Sequence, residues 1–217
     1  MSANSSTYGG MFLAPTRNPF NYEKVEQTAR DLATEWLTLD DITQQLNLFG
    51  DESQDSYLQT LELAVRMHIE DYLGLPIFPQ SYRVYYGINS LYGTPVTLDL
   101  PEVSQSGVTI NSVQYWNNAS PSVLTTVAST TYYYDQTGNK IVLSTLPTEM
   151  DTSRTNPIIA NYTVSASILA QYPVIKHAGL LLLTHLYNNR SETTVGALQT
   201  IPFGVDVLLR QYKPLVM

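Results

Sequence analysis

The stretch Ala64-Val-Arg-Met-His-Ile-Glu-Asp-Tyr-Leu-Gly-Leu-Pro-Ile-Phe-Pro-Gln-Ser-Tyr-Arg-Val-Tyr-Tyr-Gly87 changes period in the middle. Leu58, Leu61, Val65, Ile69 and Tyr72 recur at helical spacing, and Leu73 extends the face. Gly74 and Pro76 then end the helix. From Gln80 the residues are β-branched and aromatic, as strands require. A helix handing over to a sheet through a Gly/Pro-rich joint is the pivot of the whole chain.

Upstream lies a second helix. Thr38 with Asp41 three residues on forms a capping box, and Asp40 sits near the positive helix end. Leu39, Ile42, Leu46 and Leu48 supply the apolar face, and Gly50 is the expected stop. The polar run Asp51–Asp55 opens the next helix, so Thr38–Leu73 reads as a helix hairpin. Before it, Val25, Ala29, Leu32, Ala33 and Trp36 recur weakly at 3–4 spacing, which predicts some helix over Tyr22–Trp36. Residues 1–20 are small and polar with Pro15 and Pro19, and read as an arm that is disordered alone, partly disordered or partner-ordered in its assembly.

Downstream, Tyr82–Gly87, Val96–Leu100, Val108–Trp116, Thr131–Asp135, Lys140–Leu143 and Ile158–Val164 predict five or six short antiparallel strands. Asp135-Gln-Thr-Gly-Asn139 reads as a hairpin turn. Helix returns at Tyr172, with Pro173 at its first position. The run Leu180-Leu-Leu-Leu183 is apolar nearly all round, so this helix should be buried. A loop then leads to the short apolar tail Ile201–Lys213.

The fold class expected is α+β: an antiparallel bundle of three main helices, an inserted small antiparallel β-domain and a C-terminal docking tail. The division expected is an arm over 1–37, a helix hairpin over 38–79, the β-domain over 80–167, the long helix and its loop over 168–199, and the tail over 200–217. Leu58, Leu61, Val65, Ile69, Tyr72, Leu181, Leu182 and Leu186 are the expected bundle core or subunit interface.

Composition narrows the function. The chain has 217 residues and a formal charge of −8. Charged residues make up 14%, against roughly 25% in an average soluble protein. Ser, Thr, Asn, Gln and 16 Tyr must cover the surface instead. Such a surface suits large protein–protein interfaces; a β-rich secreted domain is the plainer alternative. With zero Cys there is no disulfide, thiolate or Cys-based zinc chemistry. An acidic chain attracts phosphate poorly, and no window approaches ~18 consecutive apolar residues. No secretory leader is visible, so the four Asn-x-Ser/Thr triplets, at Asn4, Asn118, Asn161 and Asn189, are expected by composition alone.

Catalytic patterns are absent. His177 and His185 sit about 80° apart and roughly 12 Å along one helix, a poor metal pair, and His68 stands alone; packed or surface histidines are expected. No Gly-x-Ser-x-Gly and no Gly-x-x-x-x-Gly-Lys occurs. The carboxylate pairs Asp40/Asp41 and Glu70/Asp71 read as a helix start and a solvated helix end. Tyr85-Tyr86, Tyr115-Trp116 and Tyr132-Tyr-Tyr134 could stack on sugars or bases. Alternation in a strand instead puts one face in the core and the other at an interface.

Several strings, in order, resemble the head-to-tail connector proteins of tailed bacteriophages, also called adaptor or head completion proteins. They are Leu39-Asp-Asp-Ile-Thr-Gln-Gln-Leu46, Ala64–Arg83, Tyr162-Thr-Val-Ser-Ala166, Pro173–Arg190 and Ile201-Pro-Phe-Gly-Val-Asp-Val-Leu-Leu-Arg-Gln-Tyr-Lys213. The resemblance spans Thr38 to Lys213. The long N-terminal arm and long β insertion depart from the family pattern.

The resemblance implies a structural virion protein at the head–tail junction, assembled in the host bacterial cytoplasm, with no enzyme activity and no cofactor. Its implied partners are the portal protein, a downstream tail, nozzle or stopper protein, and itself in a ring of twelve. Double-stranded DNA would pass without specific binding, which an acidic subunit suits. Pro202, Phe203, Val205, Leu208, Leu209, Arg210, Tyr212 and Lys213 become the candidate portal-docking tail, with Phe203, Leu208, Leu209 and Tyr212 as anchors and Arg210 and Lys213 as ion-pair partners. The alternative is that this tail folds back on its own bundle. Tyr133, Asp135 and Asn139 are candidates for a tail-side platform. Other readings are another phage tail component (stopper, tail-completion or baseplate protein) or a carbohydrate-binding β-rich module.

Overall fold

The computed structural model describes residues 21–88, 91, 93–101, 107–190 and 203–213. Its elements run β1 (Tyr22–Arg30), α1 (Leu39–Leu46), α2 (Asp55–Leu73), β2 (Gln80–Tyr86), β3 (Val96–Asp99), β4 (Val108–Trp116), β5 (Leu124–Thr126), β6 (Tyr132–Asp135), β7 (Lys140–Leu143), β8 (Ile158–Val164), α3 (Pro173–Asn188) and α4 (Phe203–Arg210). The class is α+β, with four α-helices and two antiparallel sheets among the described residues.

Local signals place most helix ends. The Thr38 hydroxyl accepts the Asp41 N–H at 3.2 Å, and the Asp41 carboxylate accepts the Thr38 N–H at 3.3 Å, closing the capping box. α1 ends before the expected Gly50, because Asn47 takes the left-handed conformation at φ 57° and its N–H closes the last turn. Gly74 ends α2 at φ 63°. Pro173 occupies the first turn of α3, where no N–H is needed.

Three expectations are corrected. Tyr22–Arg30 is a strand, not a helix: β1 pairs antiparallel with β2 from Tyr22↔Tyr86 to Arg30↔Gln80. Its weak apolar recurrence is outweighed by pairing with a strand more than 50 residues away, a tertiary effect that propensity does not register. Residues up to 37 are therefore no detached arm from Asn21 onward, since Trp36 and Leu37 are buried in the helical core; positions 1–20 lie outside the described residues. Among the described residues the strand count over 80–166 is seven, because the three-residue β5 is too short to read by alternation. The helices number four rather than three, because the tail itself forms α4.

The sheets have the orders β1-β2-β8-β4-β5 and β3-β7-β6. Two apolar clusters with no residue in common follow from this. One gathers the helices around Trp36, Ile42, Leu58, Val65, Ile69, Ile175, Leu182 and Leu209. The other fills the space between the sheets with Val84, Tyr86, Leu98, Val113, Ile141, Ile158 and Tyr162.

Candidate assembly surfaces

The polar residues that matter most inside the helical body are Glu62, Arg66 and Glu70, one every four residues on α2 and all buried. That spacing puts them on one face. Glu62 Oε1 accepts the N–H groups of Trp36 at 3.1 Å and Leu37 at 3.3 Å. Burial raises the pKa of Glu62, and those two N–H groups oppose the rise. Arg66 donates to the carbonyls of Asp31, at 2.6 Å, and of Thr34, and its guanidinium lies 4.9 Å from the Phe78 ring centroid. Glu70 Oε1 accepts the Ile77 N–H at 2.6 Å, while its Oε2 takes both Nε (2.9 Å) and Nη2 of Arg30.

The stripe thus straps the segment after β1 onto α2 and locks the joint between α2 and β2. Sequence reading treated Glu70 and Asp71 as a solvated helix end. Asp71 is exposed as expected, with 77% of its side chain accessible, but Glu70 is not. The missed signal was the i, i+4, i+8 repeat itself, which marks one face. Asp31 adds a turn at the strap's start. Its carboxylate accepts the Ala33 and Thr34 N–H groups at 2.9 Å each and bonds the Thr34 side chain. These bonds, that side chain's first, pull its pKa down to about 2.

The predicted bundle residues come together. Leu58, Val65, Ile69 and Leu182 are buried in the helical core, and Leu61, Tyr72, Leu181 and Leu186 pack against it. The tail residues divide. Val205 and Leu209, four apart on α4, are buried in the chain's own helical core, with Leu208 and Tyr212 packed against it. Tyr212 meets the Tyr172 ring edge-on at 5.8 Å, Lys213 Nζ lies 4.9 Å from the Tyr72 ring centroid, and Tyr72 bonds Asp206. That bond, more than burial, raises the Tyr72 pKa. Val205 and Leu209 of the candidate docking tail, the latter also one of its anchors, are therefore corrected toward the fold-back alternative: their spacing makes one apolar face, which the chain's own helical core covers. Val207 is 54% exposed and Arg210 is exposed, so the opposite side of α4 is open. The side chains of Pro202 and Phe203 lie outside the described residues.

Tyr133, Asp135 and Asn139 meet in the β6–β7 hairpin. Tyr132 and Tyr134 pack on the sheet core while Tyr133 is 62% exposed, as alternation requires. Asp135 Oδ1 accepts the Thr137 N–H at 3.0 Å, Tyr134 donates to Asn139 Oδ1 at 2.9 Å, and Asn139 takes the turn's left-handed position at φ 49°. The other aromatic pairs are not free stacking platforms. Tyr86 and Tyr115 are buried, the Tyr85 hydroxyl donates to Glu26 at 2.8 Å, and the Arg154 guanidinium covers Trp116 at 4.1 Å.

His68 and His177 are exposed and His185 is half-buried. Among the described residues no three His, Asp or Glu side chains are grouped to hold a metal, and no helix is long and apolar enough to cross a membrane. Large apolar side chains do stand in solvent: Phe49 in the α1–α2 loop is 73% exposed and Ile168 ahead of α3 is 75% exposed.

No family model and no curated protein matches the chain. Solved structures do share its fold. A chain in the neck of an empty gene transfer agent particle, computed with C6 symmetry, superposes with a TM-score of 0.61 at 19% identity, covering 90% of this chain and 97% of that one. A chain from the virion of the native gene transfer agent particle gives 0.59 at 16% identity, and one from the native particle's neck, computed with C12 symmetry, gives 0.58 at 18%, both with the same coverage. The likeness runs nearly end to end in both directions, so it covers helices, sheets and joint together.

Proposed function

We propose that this chain is a structural subunit of the neck of a tailed phage-like particle: a head-to-tail adaptor that sits in a ring between the portal and the next tail component, with DNA passing through. The observation that carries this reading is the end-to-end fold likeness to chains from particle necks. The molecule's own surface supports it. Few charges, a net charge of −8 and exposed Phe49, Ile168 and Tyr133 suit a subunit flanked by neighbours rather than by water.

The mechanism is mechanical. The helical body packs subunit to subunit, and the open side of α4, with Val207 and Arg210, docks upward on the portal. Val205 and Leu209 hold that helix in place. The β6–β7 hairpin, with Tyr133 at its exposed face, meets the tail component below. The test is electron microscopy of the chain co-produced with its particle's portal protein: rings bound to the portal are expected. A monomer that never joins the portal, but binds glycan arrays, would point to the carbohydrate-binding alternative and overturn the adaptor reading.

A further inference from the structure

β1 is the outermost strand of the five-stranded sheet, and its outer edge meets no strand among the described residues. The opposite edge is blunted, since β5 has only three residues; β1 has nine. A long open edge is a template for a further strand. Register shifts at Tyr22/Lys24 and Gln27/Ala29 bracket four residues in continuous register, Lys24–Gln27. Beside them, between β1 and the C-terminal end of α2, lies a groove of about 440 Å³ whose apolar wall is Val25, Leu75, Pro76 and Tyr82, with Gln27, Arg30, Glu70, Asp71 and Gln80 as its polar side. Val25 and Gln27 are two apart and share a face. A strand added to β1 would therefore drop alternate side chains into this groove.

We propose that the occupant is the segment Met11-Phe-Leu-Ala14 of a neighbouring copy of this chain, which adds to β1 by strand exchange and seats an apolar side chain in the groove. This rests on the ring reading above for the presence of a neighbour. Residues 1–20 contain one apolar run of four, and their single charged side chain, Arg17, faces no net charge on β1, where Glu23 and Glu26 offset Lys24 and Arg30. Extended, the seven steps from Ala14 to Asn21 span about 23 Å, so the neighbouring β1 edge must lie within that distance of Asn21.

The residue ahead of β1 is already committed to the second sheet. Asn21 is tied to the second sheet: its N–H donates to Asp99 Oδ2 at 3.2 Å, its Oδ1 accepts the Asp99 N–H at 2.8 Å, and its Nδ2 donates to the Thr97 carbonyl. Main-chain bonds to the edge with alternate side chains in pockets are the known physics of strand addition.

The chain has no cysteine, so crosslinks can be placed cleanly. Phe12→Cys in one full-length population and Gln27→Cys in another are mixed and treated with a short bismaleimide. A mixed dimer adduct is expected, and it can arise only between copies. The unsubstituted chain supplies the second readout: amide exchange at Val25–Gln27 should speed up by at least about tenfold on dilution, as a strand held by mass action is lost. No mixed adduct, or exchange that does not respond to dilution, would overturn the inference. Rings without the adduct would overturn it while leaving the ring reading standing. Adducts without closed rings would do the reverse.

Discussion

Glu70 shows what a single buried carboxylate does here. It gathers two N–H groups from the α2–β2 joint and the Arg30 guanidinium from β1. Glu70→Ala leaves Arg30 without its buried partner, and breaking such a pair costs roughly 3–5 kcal/mol; urea unfolding should show a loss of about 3 kcal/mol. Gly179 makes the opposite point, because its importance lies in what is missing. A Cβ there would meet Trp36 Cζ3 at 2.8 Å and Cη2 at 2.9 Å. Ala gains about 1 kcal/mol of helix propensity, but overpacking costs roughly 1–3 kcal/mol, so Gly179→Ala should lower the melting temperature. Two carboxylates pull the pH profile in opposite directions. Asp31 ionises more readily when folded, so below its usual 3.8 and down to about 2 the unfolded chain binds more protons, and stability falls as pH falls. Glu62 has its pKa raised from 4.5, so above that value the folded chain holds the proton more tightly, and stability falls as pH rises. Urea titrations across pH 4–7 should show this second slope flattened in Glu62→Gln, whose amide oxygen still accepts from Trp36 and Leu37.

At the scale of elements, α4 separates two roles that the sequence runs together. Leu209→Ala should destabilise the fold by about 2–4 kcal/mol, within the range for buried leucines. Arg210→Ala, at an exposed position, should change stability by less than about 0.5 kcal/mol yet weaken portal binding, measured by co-sedimentation. Equal portal binding by Arg210→Ala would remove that side chain from the docking face. The elements legible in the sequence were those whose signals are local. The Thr38/Asp41 box, Gly74, Pro173 and the Asp135–Asn139 turn act within a few residues, and α1, α2, α3 and the β6–β7 hairpin follow from them. β1 was illegible because its partner, β2, lies far along the chain and its edge position leaves its outer side chains polar. α4 was only half legible: spacing shows that Val205 and Leu209 share one of its sides, but not that α3 already covers it. Glu62 and Arg66 went unread because their hydrogen-bond partners are main-chain groups, which carry no sequence signature, and Glu70 read as solvated because its side-chain partner, Arg30, lies 40 residues away.

For the whole molecule, the exposed Phe49 and Ile168 matter only if copies meet. Phe49→Ser with Ile168→Ser should leave the unfolding midpoint of the isolated chain nearly unchanged while reducing ring formation, read by light scattering in the presence of portal. Unaltered rings would take both side chains out of the interface. The separation of the two apolar clusters carries a mechanical consequence. The helical and sheet bodies are held together by the three places where the chain passes between them and by the Arg30–Glu70 bond across the joint. A tensile load applied between the capsid and tail ends of such a subunit would be borne there first. The polypeptide would then yield by swivelling as two stiff blocks, each intact, before either block began to melt.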